Sequence, residues 1–495
     1  MSDLKQKVEG ENRDILGVDP SGRIALSGKH LHFVGIGGCG MSGLARMCHQ
    51  FGAHCSGSDL GQSKTVQELT DLGIPIADQQ AEASLPETCD AMIISAAIKD
   101  DHPEVCAARK RAVPVVKYAK MLGQLMLGRT AITIAGTHGK SSTTSFLAHI
   151  MIQCDLDPSF IVGANCEQIG GGSRVCADDS PNHFLLAEAC EYDRSFHNFH
   201  PTHAIILNVE ADHLDMYSGL DEIVEAFSVF AKKVPESGTL LINHDMGCRL
   251  EITAGLSCPV ETIGYSPEAD WQVRLNKGRA HLDHNGEKVC QWRVPLPGVH
   301  MAYNAAAAAI TAHRLGADWK QIAAAIESFR GLDRRMQLLG VKDYLTHRDA
   351  GDKQSDYSIT VIDDYGHHPT EVETTLRALK HHYQPKRLIC VFQPHQHSRT
   401  RFLMEQFATS FSDADVVIVP HIYFVRDSEA ERHAVTSADL VDRLRQKNVQ
   451  AMHLYPFDAI IEQLELITRP GDLLVTMGAG DVWKVARGFL GDPAP

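Results

Sequence analysis

The segment Ile132-Thr133-Ile134-Ala135-Gly136-Thr137-His138-Gly139-Lys140-Ser141-Ser142-Thr143-Thr144 constrains this chain more than any other. Its β-branched start predicts a strand, its glycines a tight loop, and its continuation a helix. Such a loop brings bare backbone N–H groups and the positive end of a helix dipole to one point, which suits a bound phosphate. Lys140 can reach the β- and γ-phosphates of a nucleotide, and the Ser141 hydroxyl can ligate Mg²⁺. Gly136, Thr137, His138, Gly139 and Ser142 complete the predicted ATP-binding loop. The loop is shorter than the common G-x-x-x-x-G-K-[ST] pattern, whose first glycine would fall on Ile134. The competing reading is an ordinary βα turn, which gives the Gly-Lys-Ser ending no work.

At 495 residues the chain has room for two to four domains. A net charge of −15 argues against a general binder of nucleic acid or anionic membrane. No apolar run reaches the ~18 residues of a membrane span, so no membrane insertion is expected. The 13 cysteines show no C-x-x-C pair, which predicts reduced thiols and a cytoplasmic location. The polar N-terminus lacks a signal-peptide core, and residues 1–28 are expected to be a frayed leader.

Alternation of short apolar runs with helical patterns predicts an α/β protein of three domains. The first, residues 1–128, opens with a strand at His30–Val34, a glycine run from Gly35 to Gly43, and a helix over Leu44–Phe51. That is a Rossmann-like βαβ start, in which Gly35, Gly37, Gly38 and Gly40 allow close approach to a diphosphate and Asp59 stands where a ribose ligand belongs. The central domain, residues 129–340, begins with the Lys140 loop. Its Phe184–Glu188 and Ala204–Asn208 runs read as buried parallel strands, and Asn285-Gly286 predicts a hairpin insertion between Trp271 and Val294. An alanine-rich helix is expected over Asn304–Leu315. The third domain, residues 341–495, is a further Rossmann-like unit; it opens with a loop over His347–Tyr357, followed by strands at Ile359–Ile362, Leu388–Phe392, Val416–Val419 and Leu473–Met477.

Polar residues gather after these strands, where open α/β sheets place ligands. Glu188 is the expected Mg²⁺ ligand, because this hard ion prefers carboxylate oxygen, and His213 is a second-site ligand or orienter. Helix N-capping accounts for Glu191 and Asp212. In the third domain, Asp363–Glu371 and Gln393–Arg401 are dense in histidine and arginine, whose forks suit carboxylate and phosphate oxygens. A zinc site on His367, His368, His395 and His397 is the rival reading, weakened by the lack of a helical H-x-x-x-H spacing.

Six segments in order, Gly35–Gly43, Gly136–Thr144, Glu188–Phe196, Asn208–His213, Asp363–Glu371 and Phe392–Arg401, resemble the Mur ligases. Gly-x-Gly-Gly-x-Gly-Met-Ser-Gly with Asp-Asp-Tyr-Gly-His-His-Pro points to the alanine-adding branch. The resemblance implies a UDP-sugar-binding first domain, to which Met41 and Ser42 also contribute, a P-loop ATPase-type central domain, and a third domain closing over the site. It implies ATP-dependent joining of L-alanine to the carboxylate of UDP-N-acetylmuramate through an acyl phosphate, in peptidoglycan precursor synthesis, by a monomer or weak homodimer. By position it implies Lys140 on the γ-phosphate, Ser141, Glu188 and His213 as Mg²⁺ ligands, and Asn304, Arg335 and Asp364 around ATP. His368, His395, Arg399 and Arg401 would line the amino-acid and muramoyl pocket. Met301, Gln396 and Met336 depart from the residues usual in the family, and no position here matches its carbamylated lysine. The alternatives are a ligase recycling a tripeptide onto the same sugar nucleotide and, more remotely, an NAD-dependent Rossmann dehydrogenase.

Overall fold

The computed structural model describes residues 16–177, 183–343, 358–425 and 427–492. The loop expected over His347–Tyr357 and the first half of the expected leader lie outside them. From Leu16 onward the leader is not frayed. Val18 and Ile24 form a β-bridge, and Leu16, Ile24 and Leu26 are buried in the apolar cluster under the first domain. Three apolar side chains in a polar stretch were enough to dock it.

Among the described residues, three sheets organise the fold. The first is parallel, with β1 (His30–Val34), β2 (His54–Ser58), β3 (Ile76–Ala77), β4 (Ala91–Ile94) and β5 (Val115–Lys117) in the order β3-β2-β1-β4-β5. The order reverses at β1, so the glycine run that follows it sits at the switch point where such sheets bind ligands. Helix α1 (Cys39–Gln50) begins inside that run, five residues before the expected start.

The central sheet holds β6 (Thr130–Ala135), β7 (Ser159–Ile161), β8 (Ser173–Arg174), β9 (Phe184–Ala189), β10 (His203–Ile206), β11 (Thr239–Asn243), β12 (Val260–Gly264), β13 (Trp271–Asn276), β14 (Arg279–His284) and β15 (Glu287–Arg293), in the order β15-β14-β13-β12-β11-β10-β6-β9-β7-β8. Strand β6 lies between β10 and β9, parallel to both. Its two faces serve different partners. Ile132 and Ile134 join the cluster that extends into the third domain, whereas Ala131 and Ala135 join the cluster shared with the first. The two-residue period of a strand therefore makes this sheet the common wall of the molecule. Helices α2 (Lys140–Gln153) and α3 (Val299–Arg314) cover one side. The expected hairpin is a three-strand meander: Lys277-Gly278 and Asn285-Gly286 make two turns at positive φ, joining β13 to β14 and β14 to β15.

The third sheet has the order β16-β17-β21-β18-β19-β20, formed by β16 (Gln337–Asp343), β17 (Ser358–Asp364), β18 (Leu388–Phe392), β19 (Val416–Val419), β20 (Gln450–His453) and β21 (Leu473–Met477). Strand β16 pairs antiparallel with β17 along its length, so a boundary at 340 cuts a strand and this sheet's chain starts at Gln337. Strand β20 escaped the sequence reading because Gln450–His453 lacks a buried apolar run. Among the described residues no helix is long and apolar enough to cross a membrane.

Candidate active site

The carboxyl ends of β6, β9, β10, β17 and β18 converge on one cavity of about 710 Å³. Its wall includes Lys140, Ser141 and Glu188 from the central domain, Arg335 from the segment leading into the third, His367, His395 and Arg399 from the third, and Cys39 from the first. Against it lies a smaller cavity of about 200 Å³, lined by Asn304, Met301, Tyr303, Asn208 and Asp364 among others. His138, Gly139, Arg335 and Glu371 border both.

The Lys140 loop is built around its glycines. Gly139 caps α2 at φ 85°, a left-handed conformation that side chains disfavour, and a Cβ there would stand 2.9 Å from Asn304 Oδ1. Asn208, after β10, fixes the loop from outside. Its Oδ1 accepts from the His138 N–H at 2.8 Å, and its Nδ2 donates to the His138 carbonyl at 3.0 Å. No side chain caps α2, so its first-turn amides are left for an acceptor from outside the helix. That geometry fits a nucleotide phosphate.

Lys140 Nζ is held by the Glu191 carboxylate at 3.0 and 3.2 Å and by the Gly136 and Thr137 carbonyls. Burial opposes its charge, but Glu191, with Cys190 and Glu188 beside it, outweighs burial and raises its pKa. Glu191 is therefore a partner of Lys140, not the helix cap expected from sequence, and it makes no capping bond. Glu188 Oε2 accepts from the Ser141 hydroxyl at 3.1 Å, and its Oε1 accepts from the Gly163 N–H at 2.6 Å. Burial pushes the Glu188 carboxyl upward. A carboxylate and a hydroxyl on one wall are a hard-oxygen set suited to Mg²⁺. His213 stands at φ 54°, with Nε2 3.7 Å from Glu191 and 3.8 Å from Asp212. Burial lowers its pKa, favouring the neutral ring a metal requires.

Across the cavity, Arg399 donates from Nε and from a terminal nitrogen to Asp212 Oδ1 at 3.0 and 2.9 Å. Asp212 too was read as a cap, and is instead a buried anchor for this arginine. Arg399 also touches His395 Nδ1 at 3.2 Å. Asp364 accepts from the Met336 and Gly366 amides, and burial raises its pKa to about 6. Arg335 reaches Glu371 at 3.4 Å.

Several expected residues sit elsewhere. His367, not His368, lines the large cavity. His368 caps helix α4 (Pro369–Tyr383), and its ring lies tilted against that of His138, with centroids 4.7 Å apart. Arg401 is turned outward, paired with Glu431 at 2.8 and 3.1 Å. Met41 is in the core and the Ser42 hydroxyl bonds the Cys39 carbonyl, so neither side chain faces the cavity. Asp59 latches the glycine run, accepting from the Gly37 N–H at 2.8 Å. The four-histidine zinc reading fails: His367 faces Glu371 and the Tyr365 carbonyl, while His397 faces Asp427. Sequence reasoning missed Glu210 and Glu371, which flank His138; Glu371, three residues into α4, looked like an ordinary first-turn acid.

Comparison with known proteins agrees with this architecture. The chain matches the Mur ligase family, catalytic domain, over residues 30–130, the Mur ligase middle domain over 134–312, and the Mur ligase, glutamate ligase domain over 351–480. It belongs to the Mur ligase family. A curated relative from Acetivibrio thermocellus, UDP-N-acetylmuramate–L-alanine ligase, is 36% identical over 94% of this chain and 96% of its own length. One of the same name from Lachnospira eligens is 37% identical over 93% and 98%. The solved UDP-N-acetylmuramate-alanine ligase MurC of Thermotoga maritima superposes with a TM-score of 0.73 at 24% identity, covering 93% of this chain and 98% of that one.

Proposed function

We infer that this chain is the ATP-dependent ligase that joins L-alanine to the carboxylate of UDP-N-acetylmuramate, giving UDP-N-acetylmuramoyl-L-alanine, ADP and phosphate. The relatives that span nearly its whole length carry that activity in their names, and their number and coverage do not favour the tripeptide reading. A dehydrogenase would leave the Lys140 loop and Glu188 idle. The observation that carries the mechanism is the meeting of that loop, Glu188 and the Arg399–His395 pair on one cavity.

In the first step a muramoyl carboxylate oxygen attacks the γ-phosphorus of ATP, and ADP leaves. In the second the neutral amine of L-alanine attacks the acyl carbon, the nitrogen loses a proton, and phosphate departs with the C–O bonding pair. The protein forms no covalent bond to substrate; its work is alignment and charge neutralisation. Lys140, released from Glu191, neutralises the γ-phosphate. Asn304 and Asp364 border the smaller cavity, which suits the adenosine end of ATP, while Arg335 reaches both cavities. Ser141 and Glu188 would hold Mg²⁺, with His213 at a second position; the ion supplies Lewis-acid neutralisation of the transferring phosphoryl group. Arg399 and His395 face the muramoyl and amino-acid end. The glycine run after β1 would hold the UDP moiety through its backbone. The enzyme would work in the cytoplasm, as a monomer or weak homodimer.

The test is phosphate release from ATP and UDP-N-acetylmuramate with L-alanine, glycine, L-serine or the tripeptide supplied in turn. Alanine-dependent ADP formation is expected. Turnover with the tripeptide and none with alanine would transfer the assignment to the recycling enzyme.

A further inference from the structure

Behind the wall of the large cavity, His138, Glu210 and His368 turn three ligand atoms toward a common point, all within 4.8 Å of one another. We propose that these residues form a binding site for one transition-metal ion of the Zn²⁺ class, distinct from the oxygen-lined position at Ser141 and Glu188, which ties the nucleotide loop to the third domain.

The geometry is close to what such an ion needs. Glu210 Oε2 stands 3.6 Å from His138 Nε2 and 4.0 Å from His368 Nδ1. Ligands on a tetrahedral zinc, each roughly 2.0–2.1 Å from the ion, lie roughly 3.3–3.5 Å apart. These two edges need contraction by a fraction of an ångström, the third edge, between the two rings, starts within 4.8 Å, and side-chain rotation brings the three atoms together.

Both rings are also braced as metal-bound histidines are. His138 Nδ1 faces Glu371 Oε1 at 3.4 Å, which leaves Nε2 pointing inward. That nitrogen is buried with Glu210 as its nearest carboxylate and no partner within hydrogen-bond distance, and an ion bound there takes the place of the proton that Glu210 and Glu371 otherwise hold on the ring. His368 Nε2 lies 3.3 Å from the Ala211 carbonyl, to which it can only donate, so its Nδ1 carries the lone pair. The hydrogen bond that Nδ1 accepts from the Thr370 N–H is long, at 3.3 Å. An oxygen on the far side of each ring fixes tautomer and orientation, the outer-shell arrangement of metal-ligating histidines. The Thr370 hydroxyl donates to Glu210 Oε2 at 2.6 Å and holds the carboxylate in place.

Two imidazoles and a carboxylate select zinc, cobalt or nickel over magnesium, so the site discriminates against the ion that accompanies ATP. Three protein ligands leave a fourth position open, and the smaller cavity, bordered by His138 and Glu210, gives access to it. His138 and Glu210 belong to the central domain and His368 to the third. An ion bound to all three therefore favours the juxtaposition of these two domains and opposes their separation. If product release requires that separation, occupancy slows turnover.

The test uses the full chain in excess Mg²⁺, titrated with ZnCl₂ and, separately, CoCl₂. One ion per chain is expected. X-ray absorption of the zinc complex should show two imidazoles, oxygen and no sulfur, and the cobalt complex should show tetrahedral visible bands. Glu210→Gln and His368→Gln should each weaken binding at least about tenfold, and Glu371→Gln, which frees the His138 ring, about tenfold. Sulfur in the first shell would assign the ion to the cysteines and overturn the proposal. Equal affinity in wild type and both ligand variants, or no binding at micromolar zinc, would also overturn it. The absorption measurement is made on the wild type, so a variant that fails to fold does not shelter the idea.

Discussion

Arg399 of the third domain and Asp212 of the central domain share one carboxylate oxygen through two hydrogen bonds of 2.9 and 3.0 Å, and both side chains are buried. The pair fastens the two domains beside His213 and aims the arginine into the cavity. Removing one partner leaves the other charge buried and alone, which costs more than removing both. Asp212→Asn and Arg399→Met should each lower kcat/KM, and the double variant should fall by less than the product of the singles. A double-mutant cycle on kcat/KM should return a coupling of about 2 kcal/mol; additive losses would mean that the two residues act independently.

Lys140→Ala should reduce turnover by at least about a thousandfold, because the loop loses the cation that faces developing phosphate charge. UDP-N-acetylmuramate should still bind, since its proposed contacts are in the first domain. The variant leaves Glu191 buried without its lysine, so Lys140→Ala with Glu191→Gln serves as the control for folding. Calorimetry that finds sugar-nucleotide binding lost in both would contradict the separation of the two sites.

Glu188→Gln removes the charged oxygen of the Ser141–Glu188 pair while keeping its shape. The Mg²⁺ concentration for half-maximal activity should rise about tenfold or more, with a smaller effect for Ser141→Ala. A magnesium titration of both variants measures this, and an unchanged requirement would place the ion elsewhere.

Burial opposes charge on His138, but the carboxylates of Glu210 and Glu371 outweigh it and raise the imidazole to about 9 from 6.5. The folded protein therefore keeps a proton that the unfolded chain has released between those values. The stabilisation is complete below pH 6.5 and is lost as pH rises through 9. It should amount to roughly 3 kcal/mol. Thermal melts of wild type and His138→Gln should differ most below pH 6.5 and converge above 9. A difference that grows with pH would reverse the assignment.

The Lys140 loop was legible as a strand–loop–helix because its parts are local: strand, glycines, lysine and helix are adjacent in the chain. Glu188, at a strand's carboxyl end, was legible in the same way, whereas Asp364, also at a strand end, entered only through the family resemblance. Glu191 and Asp212 were misread for the opposite reason. An acid beside a turn looks like a cap, and only the partner shows otherwise; Lys140 lies 51 residues from Glu191, and Arg399 lies 187 from Asp212. Between His367 and His368 the sequence offers no means to choose, since adjacent residues face different ways and the start of α4 sets which one meets the cavity.

By itself the sequence determined the α/β alternation, the order of the polar strand ends and the side-chain types that each carries. These follow from periodicity and from residue type, which need no partner. Tertiary structure decided which charges neutralise one another, which histidine faces the cavity, and that the leader from Leu16 docks as part of the core. Those outcomes depend on distances between segments far apart in the chain, and such distances exist only once the central sheet has set its two faces against its neighbours.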